Sequence, residues 1–303
     1  MKILKFSSID TYDFMVFGLG YESRSISAFT ELYSQDEKAI AVGYERHTDA
    51  LFYEENRKCF SDAGVDVIEG KDSCVLKEVY KRIDLLIDGN LPSNVLLDIT
   101  VLSRHRLASI LDRLITTLPI GSTLTLAYYL SGYVEPPEGT TPIRLVSEIT
   151  PEFSGAIGDL SLPTSLILGL GYEKEKALGL SNYLEAGNEY IFIPRSSESN
   201  FEDAVRRNNS ELLRLVPDSN IFTYNVEEPY ATYLDLKALT LSVCDYSRPL
   251  LVPLGPKMLS AISVILAREL YPNLPVWRVS SEHTEIPVER SYSGKKVLLT
   301  IQL

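Results

Sequence analysis

The sequence predicts an α/β protein made of two tandem Rossmann-like units with mostly parallel sheets. The first observation is a repeat, because Gly-Leu-Gly-Tyr-Glu occurs at Gly18–Glu22 and again at Gly169–Glu173. The second is that short apolar runs alternate with longer amphipathic stretches in the same order after both copies, which is typical of parallel sheets with right-handed crossovers. The third is that several runs are apolar without a break, as strands buried on both faces require. These observations indicate an internal duplication.

In the first half, strands and helices alternate up to a fifth strand. The strands are predicted in the runs FMVFG, AIAVGYE, DVIEG, NVLLDIT and LTLAYYLSGY. Helices are predicted between them, among them FYEENRKCFSDAG and RHRLASILDRLITTL, whose apolar residues recur at helical spacing. We expect this first unit to occupy residues 1–150.

The second half repeats the same order of elements. Its strands are predicted in the runs SLILGL, EYIFIPR, IFTYN, PLLVPLG and PVWRVSSEH. The join between the halves lies near EPPEGTTPIRLVSEITPEFSGAIGDLSLPTS, which is rich in Pro, Gly, Ser and Thr. We expect the second unit at residues 151–303. Its tail, VERSYSGKKVLLTIQL, has a Ser-Gly turn between two extended runs and predicts a C-terminal β-hairpin at a sheet edge.

Composition narrows the classes of function. A length of 303 residues fits two domains, and a net charge of −12 argues against general nucleic-acid binding. No apolar run approaches the roughly 20 residues that span a bilayer, and the N-terminal residues do not resemble a signal peptide. Three cysteines and three histidines, without metal-ligand spacing, give little basis for a metal site. We therefore expect a cytoplasmic protein with no membrane partner, no metal and no resident cofactor.

The loops after the first strands are candidate ligand sites. In open parallel sheets, ligands bind outside the carboxyl ends of the strands, where the strand order reverses. Paired glycines let a ligand approach the backbone, and the next helix start favours anions. The candidates are Gly18, Gly20, Tyr21, Glu22 and Arg24 in the first copy and Gly169, Gly171, Tyr172 and Glu173 in the second. Ordinary turn chemistry explains the glycines equally well, and the third glycine of a dinucleotide fingerprint is replaced by Ser23 and Lys174.

The loops after the fourth strands hold the second group of candidates, and here the two copies differ. The first copy, LLDITVLSRHRL, offers Asp98, Thr100, Ser103 and Arg104. The second, LLVPLGPKMLSAISVIL, offers Gly255 and Lys257. A lysine at a helix start opposes the helix dipole, so a bound anion is one explanation for it and solvation at the surface is the other.

The Gly-Pro-Lys-Met turn of the second copy resembles the Gly-Thr-Lys-x-Met element of CARF domains. In this resemblance Gly255 matches the turn glycine and Lys257 the lysine, while Pro256 departs from the threonine. CARF domains are Rossmann-like sensors of CRISPR systems that bind cyclic oligonucleotides, and SAVED domains are two CARF-like units fused in one chain. The resemblance implies a sensor of a nucleotide-type ligand in a prokaryotic antiviral defence system. It also implies that Lys257 faces the ligand phosphates.

Two other functions remain open at this point. The chain is an enzyme acting on NAD or another nucleotide if Glu22, Asp98 and Arg104 form one catalytic site. It is a structural subunit of a multi-protein defence complex if the candidate loops of neither repeat bind a ligand. We favour the sensor. Because neither a nuclease nor a protease motif accompanies the repeats, we expect its output to pass through a separate effector protein.

Overall fold

The computed structural model describes residues 1–5, 11–35, 37–86, 91–136, 139, 142–281 and 286–303. The chain divides into two compact units: unit 1 is Met1–Gly132 with Ile286–Leu303, and unit 2 is Tyr133–Glu285. Each unit combines helices with a mainly parallel sheet, which confirms the predicted α/β class. Within the described ranges, no helix is both long and apolar enough to cross a membrane.

Unit 1 alternates strands and helices from its second strand to its sixth. With elements numbered along the whole chain, it contains β1 (Lys2–Leu4), β2 (Phe14–Gly18), α1 (Ser27–Leu32), β3 (Ala39–Val42), α2 (Tyr53–Asp62), β4 (Asp66–Ile68), α3 (Asp72–Leu86), β5 (Asn94–Asp98), α4 (Arg104–Thr117), β6 (Thr123–Ser131) and β13 (Tyr292–Gln302). The sheet order is β1-β13-β6-β5-β2-β3-β4. The five strands from β2 to β6 pair in parallel, and their order reverses beside β2. This is the Rossmann arrangement.

The core of unit 1 explains why these runs become central strands. Met15, Val16 and Phe17 on β2 are fully buried, as both faces of the strand are covered. On one face, Phe17 meets Phe29 edge-on with ring centroids 5.5 Å apart, and Phe29 lies 4.7 Å from Phe60 of α2. Each such buried side chain contributes about 1.5–3 kcal/mol through removal of apolar surface from water. The aromatic cluster therefore fixes α2 and the α1 region against β2.

Unit 2 repeats this order. It contains β7 (Leu145–Glu148), β8 (Thr164–Gly169), α5 (Lys176–Leu184), β9 (Asn188–Arg195), α6 (Ser199–Asn208), α7 (Ser210–Leu215), β10 (Ile221–Asn225), α8 (Pro229–Cys244), β11 (Arg248–Pro253), α9 (Lys257–Glu269) and β12 (Trp277–Ser280). Its parallel sheet has the order β10-β9-β8-β11, and β12 follows through a parallel bridge between Leu251 and Val276. An antiparallel strand, β7, pairs with β12.

The two units therefore share one topology. In each, the third, second, first, fourth and fifth parallel strands lie side by side, and an antiparallel strand follows the fifth. The duplicated motif Gly-Leu-Gly-Tyr-Glu begins at the end of the first parallel strand in both units, β2 and β8. The internal duplication predicted from the sequence is thus present in the order of the strands as well as in the motif.

The predicted C-terminal β-hairpin is wrong. The tail forms one long strand, β13, which pairs antiparallel with β6 on one side and with β1 on the other. Gly294 has a φ of +83°, and the pairing register shifts between Tyr292 and Lys296. The Ser-Gly pair therefore makes a bulge within a strand instead of a turn between two strands. The tail belongs to unit 1 and not to the second repeat.

The division between the units also differs in position from the one expected. It falls between Gly132 and Tyr133, whereas the sequence suggested residue 150. The segment in between includes β7, which pairs with β12 and so belongs to unit 2. A stretch that reads as a linker by composition is thus partly an edge strand.

Candidate functional site

The first loop of unit 1 is packed against the protein's own fourth loop. A Cβ added at Gly18 would lie 2.8 Å from Cγ2 of Val101, and one added at Gly20 would lie 3.1 Å from Cβ of Val101. Ser25 secures the loop from within, because its Oγ donates to the Gly18 carbonyl (3.0 Å) and accepts from the Gly20 N–H (2.9 Å). In unit 1 the close approach that these glycines permit is an approach by the protein itself.

Glu22 and Arg24 form a buried ion pair in the same loop. Nε of Arg24 lies 2.6 Å from Oε2 of Glu22, and their side chains are 5% and 10% exposed. Arg24 also donates to the Tyr129 carbonyl (2.7 Å), and Arg290 reaches Oε1 of Glu22 at 3.2 Å. Burial opposes the charge of Arg24, but Glu22 and Tyr128 together outweigh burial and raise the pKa of Arg24. Both carboxylate oxygens of Glu22 are therefore engaged by guanidinium groups.

A carboxylate from the C-terminal segment occupies the next position. The N–H of Ser23 lies 3.3 and 3.2 Å from the two carboxylate oxygens of Glu289, and the Ser23 hydroxyl also donates to Glu289. A carboxylate at the first N–H of a helical turn is favoured by the helix dipole. The place where the sequence predicts a ligand anion in unit 1 thus holds Glu289. Sequence reasoning missed this residue because 266 positions separate it from Ser23.

The fourth-loop candidates of unit 1 organise local structure. Asp98 is fully buried, and its Oδ1 accepts from the Thr100 N–H at 2.9 Å. Thr100 Oγ1 in turn accepts a backbone N–H from β6 at 3.0 Å. Ser103 is the N-cap of α4, where its Oγ accepts from the Arg106 N–H at 3.2 Å. Arg104 is the first residue of α4 and is half-buried.

The cation that organises this edge of unit 1 is Arg106, which the sequence analysis did not single out. Its side chain is 1% exposed, and Nε donates to Oδ1 of Asp72 at 2.7 Å. Its terminal nitrogens donate to the carbonyls of Gly43 and Gly70, the latter at 2.7 Å, and its guanidinium lies 4.0 Å from the ring centroid of Tyr44. Arg106 thereby ties the ends of β3 and β4 to α4.

Each unit also has an asparagine that holds its glycine loop. In unit 1, Nδ2 of Asn56 on α2 donates to the carbonyls of Gly20 (2.8 Å) and Glu22 (2.9 Å). In unit 2, Nδ2 of Asn209 donates to the carbonyl of Gly171 (2.9 Å), which is the glycine equivalent to Gly20. Sequence reasoning missed both residues. The available signal was that an asparagine recurs in the helical stretch after the second strand of each repeat.

In unit 2, glycines again bring the first and fourth loops together. The N–H groups of Leu254 and Gly255 both donate to the Gly169 carbonyl, at 2.8 and 3.2 Å. A Cβ added at Gly255 would overlap the carbonyl oxygen of Leu170. One added at Gly171 would lie 3.0 Å from the carbonyl oxygen of Leu254. Gly255 is thus required by backbone packing whether or not a ligand binds.

Three further candidates lie beside these loops. Lys257 is the first residue of α9 and is half-buried. The two loop tyrosines each contact another ring: Tyr172 lies 6.0 Å from Phe201, and Tyr21 meets His47 edge-on at 6.1 Å. Both tyrosines are half-buried, which is consistent with packing at the rim of each unit.

A groove of about 490 Å³ opens directly after the second Gly-Leu-Gly-Tyr-Glu loop. It lies within unit 2, between α5 and the segment that leads into β7. Its lining includes Ile143, Arg144, Val146, Lys174, Glu175, Lys176, Gly179 and Tyr183. Three of these side chains are cationic and one is anionic, in a chain whose net charge is −12. Lys174 lies 3.8 Å from Glu175, so the lining keeps an excess of positive charge in Lys176 and Arg144 on an acidic protein.

Lys176 is the more enclosed lysine of the groove. Its side chain is 10% exposed, compared with 54% for Lys174. Its ion-pair partner, Oε1 of Glu173, is 4.0 Å from the ammonium, which is longer than a hydrogen bond. Lys176 is also the first residue of α5, where the helix dipole opposes a cation and favours an anion. An anion in the groove would compensate the ammonium of Lys176 for the opposing helix dipole and for its reduced contact with water.

Metal chemistry has no evident centre in the described part of the chain. There, no group of three or more His, Cys, Asp or Glu side chains is placed to hold a metal ion. The three cysteines, Cys59, Cys74 and Cys244, are free thiols. What the groove offers chemically is positive charge beside a helix start, which suits anion binding.

No protein-family model matches the chain, and no curated protein matches it by sequence. Among solved structures, the cytoplasmic domain of a prokaryotic cation chloride cotransporter is similar over 90% of this chain and 97% of its own, with 11% identity and a TM-score of 0.24. Phosphoethanolamine N-methyltransferase 1 of Haemonchus contortus is similar over 97% of this chain and 88% of its own, with 7% identity and a TM-score of 0.24. These similarities are too low to identify a function, and neither protein is described as a CARF or SAVED domain.

Proposed function

We propose that this chain is a sensor that binds an anionic, nucleotide-type ligand through unit 2. The observation that carries the proposal is the groove after the second glycine loop, where Arg144, Lys174 and Lys176 gather on an acidic protein. Cations and helix starts at the carboxyl edge of a parallel sheet are the usual means by which α/β folds bind phosphate groups. A separate effector protein, a cytoplasmic location and a role in prokaryotic antiviral defence remain part of this proposal.

The difference between the two units supports unit 2 as the binding unit. In unit 1, the turn after the glycine loop is filled by Glu289, and Glu22 is held by two arginines. In unit 2, Lys174 and Lys176 follow the loop and line a groove. The CARF-like turn, which contains Lys257, belongs to unit 2 as well. Unit 1 then has a supporting role.

The second candidate, an enzyme that uses Glu22, Asp98 and Arg104, has less support. A general acid or base must come within hydrogen-bond reach of the proton it transfers. Both carboxylate oxygens of Glu22 are bonded to arginines, and Asp98 is fully buried. These carboxylates serve the structure of unit 1 in their present positions.

The proposal is tested by thermal unfolding of the full chain with mononucleotides, cyclic oligonucleotides and NAD. A ligand at 100 times its Kd stabilises the folded state by about 2.7 kcal/mol, which corresponds to a Tm rise of roughly 5–10 °C for a unit of this size. We expect at least one nucleotide to produce such a rise. Lys176→Met, which removes the charge and keeps most of the stem, should abolish most of it.

Arg214→Met is the matched control, because Arg214 is an exposed cation on α7 of the same unit and is outside the groove. Its response to ligand should equal that of the wild type. The proposal fails if no nucleotide raises the Tm, or if Lys176→Met and Arg214→Met respond alike. Turnover of NAD that disappears in Asp98→Asn would favour the enzyme instead.

A further inference from the structure

The groove of unit 2 has two chemically different ends. Lys174 and Lys176 lie at the start of α5, while Gly179 and Tyr183 follow along the same helix. Residues four apart lie on one helix face, so Gly179 and Tyr183 succeed one another along the wall of the groove. A rise of 1.5 Å per residue places Tyr183 about 10 Å beyond Lys176 along the axis. The groove therefore runs from a cationic end to an aromatic end.

The aromatic end of the groove is open to solvent. Tyr183 is 68% exposed, and Ile143 and Val146 supply apolar surface in the same groove. Gly179 lies between Lys176 and Tyr183 on this face of α5, and Ile143 packs beside it. A Cβ added there would meet Cδ1 of Ile143 at 3.7 Å, an ordinary contact, so packing does not demand glycine at this position.

We infer that this groove binds a single nucleotide in an extended form. Its phosphate lies at Lys174 and Lys176, and its base lies against the ring of Tyr183. The inference rests on the proposed function and adds the size and the orientation of the ligand. A base stacks on an aromatic ring whatever its identity, because every base has a π-face.

The volume of the groove supports one nucleotide unit. Pockets that enclose most of a drug-sized ligand range over about 300–1,000 Å³, and this groove, at about 490 Å³, lies in the lower half of that range. A mononucleotide is a ligand of that size. A ring of several nucleotides would place most of its surface outside the groove.

The test uses the full chain and titrates it with adenosine monophosphate, adenosine and inorganic phosphate by calorimetry. We expect adenosine monophosphate to bind more tightly than either fragment. Tyr183→Ala should weaken its binding by roughly 5- to 150-fold, the range expected for one lost base–aromatic stack, and should leave binding of phosphate unchanged. Tyr183→Phe should bind as the wild type does, because stacking requires the ring and not the hydroxyl.

Each outcome separates this inference from the proposed function. If the mononucleotide and phosphate bind equally and Tyr183→Ala changes neither, the groove binds an anion only, and the inference is overturned while a Lys176-dependent anion site survives. If a cyclic trinucleotide binds and mononucleotides do not, a larger ligand replaces the one inferred. If none of the three ligands binds and no nucleotide raises the Tm, both proposals fail. Circular dichroism melting of each variant checks that it folds.

Discussion

Single residues determine how closely the loops of each unit approach one another. Gly18 allows Val101 to pack on the end of β2, and Gly255 allows the carbonyl oxygen of Leu170 to approach the fourth loop of unit 2. These neighbours differ in their freedom to move. A valine side chain can shift by a few tenths of an ångström, whereas a backbone oxygen moves only with its strand end. Adding a methyl group should therefore lower the free energy of unfolding by different amounts at the two glycines.

We expect Gly255→Ala to lower the free energy of unfolding by about 1–3 kcal/mol, as overpacking of a filled core does, and Gly18→Ala to lower it by less. Urea unfolding measures this, read on the transition of the unit that carries the substitution, because a two-unit chain need not unfold in one step. Gly132→Ala is the control, since its Cβ would lie 3.9 Å from Oγ of Ser291.

A second substitution separates steric overlap from a general effect of alanine. Val101→Ala removes the Cγ2 that a Cβ at Gly18 would meet. The double variant should therefore lose less stability than the sum of the two single variants, which is a coupling that a double-mutant cycle detects. Additive losses would mean that the contact with Val101 does not restrict Gly18.

The packing of these glycines also explains why the repeated Gly-Leu-Gly-Tyr-Glu motif did not reveal a ligand site. The sequence predicted that the glycines mark sites of close approach, and they do in both units. Close approach by a ligand and close approach by a neighbouring loop both require a residue without a Cβ. The spacing of glycines therefore cannot distinguish the two. The cation-lined groove beside α5 could be identified only from the folded structure, because Arg144 lines it from a segment that the sequence assigned to a linker.

Helices and strands of unit 1 are joined by polar contacts that depend on pH. Glu31 on α1 accepts a hydrogen bond from the phenol of Tyr129 (2.9 Å) and forms an ion pair with Lys296 of β13. Burial opposes the charge on Glu31, but the hydrogen bonds from Lys296 and Tyr129 outweigh it and lower its pKa. Burial and Glu31 together raise the pKa of Tyr129. The contribution to stability is modest, because the Glu31 side chain is 41% exposed and solvent screens the pair.

The lowered pKa gives this contact a defined pH dependence. A carboxyl group whose pKa is lower in the folded state stabilises the fold above its ordinary pKa, here 4.5, and loses that contribution as the pH falls through the folded pKa. We expect Glu31→Gln to lower the urea midpoint of unit 1 at pH 7 and to lower it less at pH 3. Glu55→Gln, an exposed position on α2, is the control. An equal decrease at both pH values would contradict this role for Glu31.

At the scale of elements, local patterns predicted most of the fold. The alternation of strands and helices from β2 to β6 and from β8 to β12 is set by hydrophobic spacing within each segment, and the sequence predicted it in order. The tail could not be predicted in the same way. A hairpin turn and a bulge both favour glycine with positive φ, as at Gly294, and only pairing with distant strands decides between them.

At the scale of the whole molecule, unit 1 is discontinuous in sequence. The chain leaves it after Gly132 and returns at Ile286, and the Gly132 N–H donates to the Ser291 carbonyl at 3.0 Å. Ser291, five residues after the point of return, therefore lies beside the point of exit. The repeat length gives only the sequence distance between equivalent strands, which suggested a boundary near residue 150. It contains no information about β13, the strand that the C-terminal segment adds to unit 1.

This discontinuity predicts how fragments behave. β13 covers the edge of β6 and is the partner of β1, and it buries Val297, Leu299 and Ile301. A fragment of residues 1–132 should aggregate, because it lacks these side chains and exposes the edge of β6. Joining residues 286–303 to Gly132 through a flexible Gly-Ser linker should restore a folded unit, since the hydrogen bond between Gly132 and Ser291 brings the segment that starts at Ile286 back to Gly132 within five residues.

Residues 133–285 should fold alone, because their strands and their core cluster lie within that range. Gel filtration and thermal unfolding of the three fragments test these expectations, and a folded 1–132 with the Tm of the joined form would show that β13 is dispensable. The same fragments also localise function. If unit 2 is the binding unit, 133–285 should bind the nucleotide with the affinity of the full chain and lose it with Lys176→Met. Binding by the joined form of unit 1 instead would assign the ligand to the other repeat, where Glu289 would have to leave the Ser23 turn.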